Sequence, residues 1–155
     1  MSVLIDQTSR VIIQGLTGNV GRFSARDLIA YGTRVAGGTS TSKADTEVEG
    51  LPVFPSVRAA RESTGADVSL VYVPAATALD HVIEAFEAGV RLVVYPGDGL
   101  PVQDAIEMRA AAKANGGVLI GPNTPGIISP GKAKAGFMPS FCYTQGPPRT
   151  KPVSA

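Results

Sequence analysis

The chain has 155 residues, room for about one domain, and its 44% hydrophobic and 17% charged residues mark it as globular rather than disordered. A formal net charge of +1 excludes a general attraction to nucleic acid or to an anionic membrane, so any anion site has to be local. No apolar run approaches the roughly 18–20 residues of a membrane span, no secretion signal is visible, and a single cysteine, Cys142, excludes an internal disulfide; a cytoplasmic setting is expected, or the mitochondrial matrix in a eukaryote.

Arg10-Val11-Ile12-Ile13-Gln14 is a short apolar run stopped by Gly15 and reads as a buried strand. From Asn19 to Tyr31 the spacing turns helical, with Val20, Phe23, Leu28 and Tyr31 on the predicted inner face and Gly32 as the stop. Thr33 to Gly37 is a second strand. Ser56 to Thr64 is a short helix with a serine cap and Gly65 after it. Val68 to Val73 is a third strand, followed by a helix that Thr77 and Asp80 would open as a capping box and Gly89 would end. Arg91 to Tyr95 is a fourth strand. Pro101 suits the start of a helix ending near Asn115-Gly116, and Val118-Leu119-Ile120 is a fifth strand.

Five strands with four intervening helices predict an α/β, Rossmann-like doubly wound sheet of parallel strands with helices on both faces. The domain is expected to span residues 1–143. Periodicity decays after Pro125, and residues 144–155 read as an irregular tail or the stub of a linker.

In such a sheet, ligands bind beyond the carboxyl ends of the strands, so the loops there carry the chemistry. After the first strand comes Gly15-Leu16-Thr17-Gly18-Asn19-Val20-Gly21, a GxxGxxG spacing that exposes backbone N–H groups at a helix N-terminus. That is a phosphate site, or else merely a tight turn. After the second strand, Gly37 to Lys43 holds hydroxyls and a lysine where an NAD enzyme places an acid. A phosphorylated ribose is favoured, as in coenzyme A or NADP; an ordinary solvated Lys43 is the plainer alternative. The later loops bring Pro74, then Pro96-Gly97-Asp98-Gly99, then Gly121-Pro122-Asn123-Thr124-Pro125 to the same edge. Asp98 is equally at home as a turn or cap residue.

Other chemistry finds little footing. His81 is the single histidine and falls inside the helix after the third strand, which places it away from these loops and outside any catalytic role. No His/Cys spacing suits a metal, and no GxxxxGK[ST] is present.

Several separated motifs, in order, resemble the N-terminal CoA-binding half of the succinyl-CoA synthetase α subunit, a tricarboxylic acid cycle ligase. They are Ser2-Val3-Leu4-Ile5-Asp6, Gln14-Gly15-Leu16-Thr17-Gly18, Ala30-Tyr31-Gly32-Thr33, Gly50-Leu51-Pro52-Val53-Phe54, Tyr72-Val73-Pro74-Ala75, Gly121-Pro122-Asn123-Thr124-Pro125-Gly126 and Ser129-Pro130-Gly131. The resemblance implies coenzyme A as cofactor, held by Gly15, Thr17, Gly18, Asn19 and Val20, by Lys43, by Pro74 and Pro96-Gly97-Asp98, and by Asn123. Pro96-Gly97-Asp98 stands where the family commonly has Thr-Glu-Gly, and Thr124 stands where it has cysteine. The family continues into a second domain with a phosphorylated histidine, whose motif His81 does not match. The resemblance therefore implies partners, a ligase β-type subunit and a phosphohistidine-domain chain, with no turnover expected of the isolated chain. A non-catalytic CoA-responsive regulatory module and an NADP-binding oxidoreductase domain are the competing readings.

Overall fold

The computed structural model describes residues 2–139; Cys142 and the expected tail at 144–155 lie outside them. In chain order the elements are β1 (Arg10–Gln14), α1 (Asn19–Tyr31), β2 (Arg34–Thr39), β3 (Thr46–Val48), β4 (Leu51–Phe54), α2 (Val57–Thr64) and β5 (Val68–Val71). Then follow α3 (Ala75–Glu87), β6 (Leu92–Val94), α4 (Val102–Ala114), β7 (Val118–Ile120), β8 (Gly126–Ser129) and β9 (Ala133–Gly136).

Seven strands form the main sheet in the order β3-β4-β2-β1-β5-β6-β7. All neighbours pair parallel except β3, which runs antiparallel to β4. Numbering the parallel strands alone gives 3-2-1-4-5-6, the Rossmann order. The order reverses between β1 and β5, which leaves a crevice where their outgoing loops part to opposite faces.

Both faces are buried, so side chains alternate between two cores rather than between core and water. Val11 and Ile13 of β1, Leu70 of β5 and Val94 of β6 join Ala25 and Leu28 of α1 and Ala133 and Ala135 of β9. Ile12, Val71 and Val93, one residue out of phase, join Val57 of α2, Val82 and Phe86 of α3 and Met108 of α4. Each fully buried Val, Leu or Ile contributes about 1.5–3 kcal/mol relative to exposure.

Four expectations are corrected. The parallel strand β4 and the antiparallel β3 join the five predicted ones; Glu49 and Gly50, at φ 56° and 74°, make the two-residue turn between them. Residues after Pro125 form a second sheet, the β8–β9 hairpin, which covers α1's side of the molecule. There Lys134, fully buried, pairs with Asp27 of α1 and donates to the Met138 carbonyl at 2.7 Å. The inner face of α1 is Gly21, Ser24, Ala25 and Leu28, whereas Val20 and Phe23 are exposed. Finally, α3 opens at Ala75 on Pro74, and Thr77 bonds back to the Pro74 carbonyl instead of making a capping box.

Candidate functional site

The site lies at the crevice between β1 and β5. Gly15 leaves β1 at φ +84°, a conformation that disfavours any side chain, and a Cβ there would run into the Tyr72 carbonyl. The Gly18 N–H then closes the turn onto the Gly15 carbonyl at 3.1 Å. Gly21 packs directly over Gly15, with no room for a Cβ. Gly18 differs: its extended backbone (φ −79°, ψ 163°) would put a Cβ no nearer than 3.4 Å to the Gly15 carbonyl oxygen. The fold requires the outer two glycines of the motif and leaves Gly18 open to solvent.

Gly18 is the N-cap of α1, with no side-chain cap and no acid in the first turn. The first N–H groups of α1 therefore keep their hydrogen-bonding capacity and the helix its partial positive charge. Pro74 starts α3 in the same way, with no side-chain cap and no acid nearby in its first turn. In contrast, α2 is capped by Ser56, whose hydroxyl accepts the Ala59 N–H at 3.1 Å, and the Glu84 carboxylate accepts the Val57 N–H at 2.8 Å.

Two cavities flank the glycine loop and share Val73. One, about 200 Å³, is rich in hydroxyls: Gly15 and Thr17 meet Thr39, Ser40, Thr41 and Ser56, with His81 and Glu84 on the α3 side. The other, about 360 Å³, is apolar: Val20 faces Tyr72, Pro74, Pro96, Gly97 and Phe137. The Tyr72 and Phe137 rings lie 4.9 Å apart between centroids. Burial pushes the Tyr72 phenol up to about 12, the 2.9 Å bond to the Ser24 hydroxyl pulling the other way. Tyr95, beneath the β6 loop, is raised too, first by burial and then by the Asp98 charge. A separate groove of about 640 Å³ between α4 and β7 shares no residue with either cavity.

The predicted residues divide accordingly. Gly15 and Thr17 line the hydroxyl cavity; Val20, Pro74, Pro96 and Gly97 line the apolar one; Gly18 and Asn19 form the exposed start of α1. Lys43 lies in the exposed β2–β3 loop, three residues past Ser40, and lines neither cavity. Asp98 is exposed, and Asn123 donates its N–H to the Gly97 carbonyl at 2.7 Å, bracing the loop rather than lining a cavity. Sequence reasoning missed Tyr72, Phe137, Ser56, Glu84 and His81. The expectation that His81 lies away from the loops is wrong: it borders the hydroxyl cavity, and its Nδ1 is 2.9 Å from Oε1 of Gln14, the residue before the glycine loop.

An uncapped helix N-terminus at a strand-order reversal suits phosphate. A hydroxyl-lined cavity on one side and an apolar one on the other suit a ligand with a nucleotide head and a long apolar arm. The family of CoA-binding domains matches residues 6–96. The chain belongs to this family. It is 44% identical over 146 residues to a succinate–CoA ligase [ADP-forming] subunit alpha 1 of Archaeoglobus fulgidus, covering 94% of this chain and 50% of that one. It is 41% identical over 150 residues to a malate–CoA ligase subunit alpha of Methylorubrum extorquens, with 94% and 51% covered. This CoA-binding domain thus spans about half the length of the curated relatives it matches. Among solved structures, the ATP citrate lyase of Methanothrix soehngenii in complex with citrate and coenzyme A superposes with a TM-score of 0.75 at 21% identity, over 86% of this chain and 24% of that one, and shows the shared fold. Among the described residues no helix is long and apolar enough to cross a membrane.

Proposed function

We propose that this domain binds coenzyme A for a nucleotide-dependent acid–CoA ligase of the succinate–CoA ligase kind, in the cytoplasm or, in a eukaryote, the mitochondrial matrix. The single observation behind this is the uncapped N-terminus of α1, set between a hydroxyl-lined and an apolar cavity. Thr17, Gly18, Asn19 and Val20 take the pyrophosphate on backbone N–H groups, with Gly15 turning the chain beneath them. Lys43 reaches the 3′-phosphate from its loop. Pro74, Pro96 and Gly97 guide the pantetheine arm along its methyl and methylene groups; Asp98 and Asn123 border its far end. The thiol is thereby delivered to chemistry that a β-type subunit and a phosphohistidine-bearing domain supply. Binding alone does not lower a phosphoryl-transfer barrier.

Calorimetry with coenzyme A, dephospho-coenzyme A, NADP and NAD tests this reading. Coenzyme A should bind tightest. Lys43→Ala should cost coenzyme A about 1.5–3 kcal/mol, a charge-assisted contact, and leave dephospho-coenzyme A nearly unchanged. Tighter binding of NADP would overturn the cofactor assignment, and equal losses for both CoA forms would remove Lys43 from the phosphate site.

A further inference from the structure

Behind the glycine loop lies a polar network that the binding scheme above does not use. Gln14 is fully buried, and its Nε2 sits 3.0 Å from both the Ser69 hydroxyl and the His81 carbonyl oxygen. A carbonyl oxygen only accepts, so this end of the Gln14 amide must be the NH2 group. The other end, Oε1, is then an obligate acceptor, and it lies 2.9 Å from His81 Nδ1. His81 Nδ1 must therefore carry the proton. In the neutral ring that leaves Nε2 with a free lone pair. Among the described residues Nε2 has no hydrogen-bonding partner, while His81 lines the hydroxyl cavity opposite Thr39, Ser40 and Thr41. Around it the wall carries the hydroxyls of Thr17, Thr39, Ser40, Thr41 and Ser56, which donate and accept alike, and the Glu84 carboxylate, which already accepts the Val57 N–H, so the locked imidazole adds a directional nitrogen acceptor to the cavity.

We propose that His81 is a specificity residue for the nucleotide end of the ligand: its Nε2 accepts a hydrogen bond from a donor on adenosine, the ribose 2′-hydroxyl or the adenine 6-amino group. The proposal rests on the CoA reading above. Gln14 acts as the positioning residue, fixing the tautomer from the last residue of the strand that also launches the phosphate loop. Ring orientation and phosphate loop are thereby set by one rigid element, so head and pyrophosphate are read in register.

Two substitutions separate contact from scaffold. His81→Asn keeps an N–H near Nδ1, and with it the Gln14 bond and the fold, but removes the Nε2 acceptor. His81→Ala removes both. Calorimetry on the whole chain would use coenzyme A, 4′-phosphopantetheine, 2′-deoxy-coenzyme A and the hypoxanthine analogue of coenzyme A. Both variants should lose roughly 2- to 12-fold in coenzyme A affinity, the range of one neutral hydrogen bond, with 4′-phosphopantetheine unchanged. One of the two analogues should bind wild type and His81→Asn equally, which names the donor. Wild-type coenzyme A affinity in His81→Asn, an equal loss for 4′-phosphopantetheine, or full sensitivity of both analogues would overturn the role of His81 and leave CoA binding standing. Failure of the wild-type chain to bind coenzyme A would overturn the reading beneath it as well.

Discussion

Three helices that flank the two cavities begin at the carboxyl edge of the sheet, and their N-termini are finished in two different ways. At α2 the protein satisfies its own backbone: Ser56 and Glu84 take the Ala59 and Val57 N–H groups. At α1 and α3 it does not, for Gly18 and Pro74 offer no side-chain acceptor and neither first turn holds an acid. A cap contributes about 1 kcal/mol, so leaving two of three ends open is a cost that stability alone would not select. On the proposed reading the capped end belongs to the scaffold, and the open ends are left for a ligand to complete. α1 is instead held one turn further in, where its Ser24 hydroxyl meets the Tyr72 hydroxyl at 2.9 Å.

Supplying the missing cap is the strongest way to break this asymmetry. Gly18 has extended N-cap geometry and room for a Cβ, so Gly18→Asp should fold and cap α1 with its carboxylate. Helix stability should rise by a few tenths to about 1 kcal/mol, since aspartate outranks glycine at this position and complements the helix dipole. Coenzyme A affinity should fall about 100-fold or more, because the carboxylate takes the N–H groups and repels phosphate. Thermal unfolding and calorimetry on the same sample read both effects. A stabilised variant that still binds coenzyme A normally would show that the open end is not the phosphate site.

The anchor that replaces a cap can be tested by pH. The folded Tyr72 phenol is raised to about 12 by burial, against 10.0 when free. Below pH 10 both folded and unfolded states keep this proton, and the stabilisation is fully present. Between pH 10 and about 12 the unfolded phenol ionises while the folded one does not. The unfolded state then binds fewer protons, so stability falls with rising pH, by at most about 1.4 kcal/mol per unit from this group. Urea titrations from pH 9 to 12 should show a steeper decline for wild type than for Tyr72→Phe. At pH 9 the variant should be about 1 kcal/mol less stable, because the Ser24 hydroxyl loses its partner. Parallel pH profiles would detach Tyr72 from the anchoring of α1.

Much of the fold was legible because fully buried parallel strands and glycine-stopped helices leave strong local signals; β1, α1 and β7 fall at their expected residues. The β3–β4 hairpin was hidden by Pro52, which reads against a strand, and by a turn that places Glu49 at positive φ. The β8–β9 hairpin was hidden because Lys134 looks like a surface residue, whereas its burial rests on tertiary partners, Asp27 of α1 and the Met138 carbonyl among them. The site divides along the same line. The glycine loop is a local motif, whereas the placement of His81 depends on Gln14, 67 residues earlier in the chain. Phe137 enters the apolar cavity only after the hairpin has folded back, a tertiary event that no spacing near Phe137 announces.

The smallest effect is expected at the capped end, and it sharpens the contrast from the other side. Ser56→Ala removes the acceptor for the Ala59 N–H but leaves Glu84 on the Val57 N–H, so the start of α2 stays half satisfied. The loss should be about 1 kcal/mol of stability. Ser56 also borders the hydroxyl cavity, where Thr39, Ser40 and Thr41 remain as polar lining. Coenzyme A affinity should therefore change less than about 3-fold, well below one charge-assisted bond. Urea denaturation and calorimetry on this variant and on Gly18→Asp should give opposite patterns: stability lost with binding kept at Ser56, binding lost with stability gained at Gly18. If Ser56→Ala instead keeps its stability and loses coenzyme A, the serine is held for the ligand rather than for the helix, and the division between finished and open helix ends no longer separates scaffold from site.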